Sequence, residues 1–127
     1  MKVLVAGATG AIGRELVPKL VARGHDVYGM THSVHKRDLL RGLGATPMVA
    51  DALDADQVAA VVAEAEPEVI VHQMTAISGD FNPRKMNENF VTTNRLRTEG
   101  TDHLLAAGRA VGVRRFVAQS YAPAIYE

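Results

Sequence analysis

The chain contains no cysteine. Disulfides, thiolate nucleophiles and cysteine metal sites are therefore excluded, although this alone assigns no compartment. An excess of charge is also missing, because 14 basic residues balance 14 acidic ones. No global field draws the protein to nucleic acid or to an anionic membrane. No apolar run approaches the roughly 20 residues of a bilayer-spanning helix. No basic segment, apolar run and cleavage site precede the first strand. These absences predict a cytoplasmic protein with no nucleic-acid partner, no membrane partner and no metal site. Repeats, linkers and low-complexity tracts are absent too, so residues 1–127 are expected to form one domain.

What is present is an alternation of short apolar runs with helical patterns. Lys2 to Ala6 reads as a buried strand and Arg14 to Arg23 as a helix ended by Gly24. His25 to Thr31 reads as strand two, followed by a polar helix from Ser33 to Leu43 that ends at Gly44. Thr46 to Asp51 forms a third strand, Asp54 to Glu64 a helix with an acidic first turn, and Glu68 to Gln73 strand four. Ser78 to Asn89 reads as a polar loop broken by Gly79 and Pro83, Asn94 to Gly112 as a long helix, and Arg115 to Ser120 as strand five. Strict alternation with right-handed crossovers predicts an α/β doubly wound parallel sheet of the Rossmann type, five strands in the order 3-2-1-4-5. Ligands of such sheets bind beyond the carboxyl ends of the strands, at the switch point between strands one and four.

The turn Gly7-Ala8-Thr9-Gly10-Ala11-Ile12-Gly13 lies at that switch point, directly between a strand and a helix. Bare glycine repeats punctuate many structural turns, but the strand–turn–helix context favours nucleotide binding. There, backbone N–H groups and the positive end of a helix dipole converge on one point suited to a pyrophosphate. Gly7 would allow the tight turn, Gly10 close approach of the phosphates, and Gly13 close packing of helix on strand.

A further absence bears on the cofactor. A site for NAD wants a carboxylate at the end of strand two for the ribose hydroxyls. Here Thr31, His32 and Ser33 are followed by His35, Lys36 and Arg37, with no acid before Asp38, and Asp26 lies at the wrong end of the strand. Arg14, His32, Lys36 and Arg37 would instead suit a 2′-phosphate; the same basic run also fits a plain solvated helix face. NADP is the expected cofactor, with NAD as the alternative. Asp51 fits either an acceptor for the adenine amino group or a turn-capping aspartate. Met74, Thr75 and Ala76 should pass their backbone near the nicotinamide ribose, although Met74 equally fits ordinary packing. His72, inside an apolar strand, reads as a core histidine.

Val3 to Gly13, the Asp51-Ala52 step, Val69-Ile70-Val71-His72, Gly100-Thr101 with Leu104-Leu105, and Arg115 to Ser120 together resemble the extended and atypical short-chain dehydrogenase/reductases. Within these they are similar to NAD-dependent epimerase/dehydratases. The resemblance runs from Met1 to about Tyr121. It implies an NAD(P) site built from Gly7, Thr9, Gly10, Ala11, Ile12, Gly13, Arg14, Thr31, His32, Asp51, Ala52, Met74 and Thr75. It also implies a serine after strand five and a Tyr-x-x-x-Lys pair, the lysine lowering the pKa of a phenol that otherwise titrates near ~10.

That pair does not occur in these residues. Tyr28 is followed four places on by His32, Tyr121 by Ile125, and Tyr126 by a single residue. Tyr121 follows Ser120 where the extended families often carry the catalytic serine. Arg97 stands where the family's asparagine precedes its Gly-Thr. No catalytic residue is therefore assigned. The expectation is a dinucleotide-binding domain that stops before the family's carboxy-terminal substrate-binding half and is inactive alone. The alternative is a non-catalytic NADP(H)-sensing or partner-binding module. Stopping at Glu127 would leave strand five as an open edge. It would also leave one face of strands four and five bare, exposing parts of Val69-Ile70-Val71 and Phe116-Val117-Ala118 to a homodimer or a partner chain.

Overall fold

Residues Lys2–Ala6 form the central strand, β1, of a parallel sheet, which explains why Val3 to Ala6 are apolar without alternation. Val3 and Val5 enter one core while Leu4 and Ala6 enter another on the opposite face. The computed structural model describes residues 1–74 and 86–118, with the backbone alone for 86–90 and 93. Beside β1 lie β2 (Asp26–Thr31), β3 (Thr46–Val49), β4 (Val69–His72) and β5 (Arg115–Ala118), connected through α1 (Ala11–Ala22), α2 (Arg37–Gly42), α3 (Ala55–Ala65) and α4 (Met86–Val111). The order is β3-β2-β1-β4-β5 and every pairing is parallel, as the alternation predicts.

The core on one face holds Leu40 of α2 and Val17 of α1, with Leu16 and Leu20 packed against it. The other face packs Val58, Val61 and Val62 of α3 and Leu104 and Ala107 of α4 onto Leu4, Met30 and Ile70. The glycine stops behave as read. Gly24 and Gly44 take φ +87° and +93°, and His25 and Ala45 each donate back to the carbonyl of Leu20 and Leu40 respectively. These reversals aim each following strand back along the sheet.

Three expectations need correction. The helix expected from Asn94 begins at Met86, so the four residues Met86 to Asn89 belong to α4 and not to the loop. The stretch Met86-Asn87-Glu88-Asn89 has only one apolar side chain, which hid the helical period there. The remaining part of the predicted loop, 78–85, lies outside the described residues. Nor is β4 bare. Val69 and Val71 are each 9% exposed, because they share a core with α1, whose Leu16 and Leu20 pack against it. Of the large apolar residues described in β4 and β5, the exposed one is Val117 of β5, at 50%. The third strand also stops at Val49, leaving Ala50 and Asp51 to the connection that follows.

No helix among the described residues is long and apolar enough to cross a membrane. No cluster of potential metal ligands occurs among them either.

Candidate functional site

The carboxyl ends of β1, β2 and β4 meet in register, Ala6 pairing with both Met30 and His72. Immediately beyond, Gly7 and Ala8 donate to the Met30 carbonyl at 3.2 and 3.4 Å, tying the turn to β2. Gly7 adopts φ +81°, a conformation that favours glycine. Its Cα also lies against the Gln73–Met74 peptide: a Cβ there would be 2.6 Å from the Gln73 carbonyl and 2.8 Å from the Met74 nitrogen. Gly13 is closed in the same way, 2.5 Å from the Ala8 oxygen. Gly10 differs, since a Cβ would meet nothing within 4 Å except the Gly7 oxygen at 3.4 Å. Two glycines thus close the turn and the third leaves a side open.

That open side faces an uncapped helix. Gly10 is the N-cap of α1, no side chain caps it, and the first turn contains no acid. The first N–H groups of any helix have no intrahelical partner; here Arg14 N–H is the first to bond back, to the Gly10 carbonyl at 2.9 Å. A cradle of glycine, free amides and positive dipole fits an anionic pyrophosphate. Arg14 adds a guanidinium beside it, its Nε donating to the Thr9 carbonyl at 2.8 Å. Ala11 and Ile12 are exposed on the same first turn, Ile12 to 47%.

At the end of β2, Thr31 is buried and its hydroxyl oxygen accepts the Ser33 N–H at 3.2 Å. This small turn leaves His32 exposed, and a 3₁₀ turn over Val34–Lys36 follows. His35, Lys36 and Arg37 are exposed as well. The first acid, Asp38, pairs with Arg41 at 2.9 Å. Asp26 sits at the opposite end of β2.

Beyond β3, the Asp51 carboxylate accepts the Leu53 N–H at 2.9 Å, which is the turn role expected as one of its two readings. Asp51 N–H donates to Gln57 Oε1 at 2.8 Å, while Gln57 Nε2 donates to Asp54, the N-cap of α3. Asp51 remains exposed. Ala52 is buried, and its carbonyl accepts from His103 Nδ1 at 2.9 Å, which requires the proton on that nitrogen. Gly100 of α4 lies between Ala52 and Met74: its Cβ position is 3.8 Å from the one side chain and 3.3 Å from the other. Met74 is therefore packed in the core, as the second of its readings held. Thr75, Ala76, Ser120, Tyr121 and Tyr126 lie outside the described residues.

His72 is 4% exposed and bonded at both ring nitrogens. Nδ1 accepts the Met74 N–H at 3.1 Å, which leaves Nε2 to donate to the Leu96 carbonyl at 3.0 Å. Burial holds its pKa below the ordinary 6.5, opposed by the Leu96 carbonyl and reinforced by the Arg97 charge. A neutral ring with one tautomer results. Gln73, one residue on, has a buried Oε1 without a hydrogen-bond partner among the described residues.

Sequence reasoning missed Gln57, Gly100 and His103 as residues that hold the site together. Gln57 could have been found, since Asp54-x-x-Gln57 is a helix-start pattern. Nothing local marks His103, which reaches 51 positions along the chain to Ala52.

Comparison with known proteins adds a family context. The profile described as the NAD dependent epimerase/dehydratase family matches residues 3–123. A 3-diazoavenalumate denitrifying reductase of a Streptomyces species is 52% identical over 125 residues, covering 96% of this chain and 38% of that protein. A UDP-glucose 4-epimerase of Mycolicibacterium smegmatis is 34% identical, over 99% of this chain and 40% of its own length. Among solved structures, UDP-glucose 4-epimerase of Thermus thermophilus in complex with NAD superposes with TM-score 0.74 at 28% identity. That match covers 91% of this chain and 36% of the other. The chain thus spans about two fifths of the length of these relatives.

Proposed function

The chain belongs to the NAD-dependent epimerase/dehydratase family, and we propose that it binds a nicotinamide dinucleotide on the Gly7–Gly13 turn, with NADP(H) preferred over NAD. The observation that carries this reading is the uncapped N-terminus of α1 above a turn whose one open direction is at Gly10. A helix that ends without a capping side chain or a first-turn acid gains most from an anion supplied from outside.

Gly7, Thr9, Gly10, Ala11, Ile12 and Gly13 supply backbone to the pyrophosphate, and Arg14 supplies charge. Thr31 shapes the turn that presents His32, and these with Lys36 and Arg37 meet the 2′-phosphate. Supporting this, no carboxylate lies between Thr31 and Arg37, and the next one is paired with Arg41. A strand end with exposed cations and no nearer carboxylate favours a phosphorylated ribose over two bare hydroxyls. Asp51 has a second carboxylate oxygen for the adenine amino group, and Ala52 packs beneath. The backbone at Met74 and Thr75 borders the nicotinamide side.

A bound dinucleotide supplies or accepts a hydride at its nicotinamide ring. For the whole protein we favour a reductase, as the Streptomyces relative is named. These 127 residues alone hold no tyrosine with a lysine four places on, so they bind the dinucleotide without turning substrate over. The setting is cytoplasmic. The edge of β5, with Val117 exposed, is the place for a second copy or a partner chain; a sedimentation experiment showing a monomer alone would rule that out.

Calorimetric titration with NADPH and, separately, NADH tests the reading. Binding of NADPH at least about tenfold tighter than NADH is expected from one charge-assisted phosphate contact. Equal affinities would discard the 2′-phosphate assignment. No heat with either ligand, from folded protein, would discard the site.

A further inference from the structure

The peptide between Gln73 and Met74 is held from two sides. On one side Gly7 leaves no room for a side chain, its Cβ position being 2.6 Å from the Gln73 carbonyl carbon and 2.8 Å from the Met74 nitrogen. On the other, His72 Nδ1 accepts the Met74 N–H at 3.1 Å. The ring is in turn anchored to α4 through Nε2 and the Leu96 carbonyl at 3.0 Å, and Phe116 of β5 stands edge-on to it with ring centres 6.5 Å apart. Met74 is buried against Gly100 of the same helix. The backbone that leaves β4 at the switch point is thus held between Gly7 and one imidazole.

We propose that His72 is a positioning residue for dinucleotide binding: by accepting the Met74 N–H while donating to the Leu96 carbonyl, it keeps the Gln73–Met74 peptide seated on Gly7 and so sets the shape of the phosphate turn. The proposal rests on the dinucleotide reading above. It differs from a plain core role in a directional requirement. The required group is an acceptor at the Nδ1 position, which the ring supplies only when neutral, while the Nε2 donor anchors the ring to α4. Protonation would set an N–H against the Met74 N–H. Among the described residues, the charge that acts on the ring is Arg97 on α4, which opposes that protonation, as does burial. From the sheet, the register neighbours are Ala6 on β1 and Ala118 on β5, neither of which titrates.

The two amides separate these roles. His72→Asn places an acceptor oxygen where Nδ1 was and carries no titrating group. His72→Gln extends its amide toward the Leu96 carbonyl and leaves the Met74 N–H without its acceptor. Calorimetry with NADP+ at pH 8 should find His72→Asn within about threefold of the unaltered protein and His72→Gln weaker by about tenfold or more, the range expected for one unsatisfied buried donor. Urea unfolding of each variant establishes that the comparison is between folded proteins. As the pH falls from 6.5 toward the lowered pKa of the buried ring, the unaltered protein should lose affinity relative to His72→Asn. The ratio cancels titration of the 2′-phosphate and of the surface histidines. Ring 15N shifts of His72 should report a proton on Nε2 alone at pH 8, a readout that needs no ligand and stands even if a variant fails to fold.

Equal NADP+ affinity of folded His72→Gln and the unaltered protein would overturn the proposal while leaving the dinucleotide site intact. A proton on Nδ1 at pH 8 would do the same. If the unaltered protein itself binds no NADP+, the dinucleotide reading fails and this inference fails with it.

Discussion

Gly13 presses its Cα against the carbonyl of Ala8, so that a methyl group there would lie 2.5 Å from the oxygen and 2.6 Å from its carbon. This contact fastens α1 to the glycine turn. Gly13→Ala should therefore destabilise the fold by about 1–3 kcal/mol, the usual range for overpacking, and weaken dinucleotide binding at the same time. Urea unfolding and calorimetry on one sample check both. An unchanged unfolding midpoint would mean the turn yields more readily than its geometry implies.

Gly10 gives the contrasting case, because its Cβ direction is open apart from the Gly7 oxygen at 3.4 Å. Its φ of −72° is also acceptable to any residue. Gly10→Ala should leave the unfolding midpoint nearly unchanged yet reduce dinucleotide affinity by about tenfold, or roughly 1.4 kcal/mol. A variant that binds as before would show that the phosphates do not approach from this side.

Cofactor choice should turn on the residue that follows β2. His32 is exposed there, held outward by the turn in which Thr31 accepts the Ser33 N–H. His32→Asp introduces the carboxylate that bare ribose hydroxyls prefer and that a 2′-phosphate repels. The ratio of NADPH to NADH affinity should fall by about tenfold or more. A ratio that does not move would place the ribose elsewhere.

Folding stability should depend on His72 with a definite sign. Its pKa in the folded state is lowered from 6.5, chiefly by burial, so the unfolded chain binds the proton more readily. The stabilisation that the neutral ring contributes is complete above pH 6.5 and declines as the pH drops below that value toward the folded-state pKa. Urea unfolding of the unaltered protein and of His72→Asn at pH 8 and pH 5 measures the difference between them. Their stability gap should shift against the unaltered protein at pH 5. A gap independent of pH would mean that the ring is already charged or freely solvated.

Much of this architecture was legible because it is local. Val3 to Ala6 are continuously apolar as a two-sided buried strand must be, and Gly24 and Gly44 stop their helices with the left-handed turns that glycine permits. The glycine turn itself needs only adjacent residues. What was not legible depends on partners distant in sequence. The covering of Val69 and Val71 depends on where Leu16 and Leu20 of α1 reach, which no strand pattern contains. The tie from His103 to the Ala52 carbonyl and the seat of Gly100 on Met74 arise only once α4 lies across the sheet. The early start of α4 was hidden because Met86 is followed by the polar run Asn87-Glu88-Asn89, too short of apolar residues to set a helical period.

The central claim is that a dinucleotide sits on the turn from Gly7 to Gly13, at the uncapped end of α1. Backbone amide chemical shifts followed by NMR during titration with NADP+ test it most directly. The account predicts saturable shifts that are largest at Gly7, Gly10, Ala11, Ile12 and Gly13, with smaller ones at His32 and Ser33. Saturable shifts elsewhere that leave those five amides unmoved would contradict it.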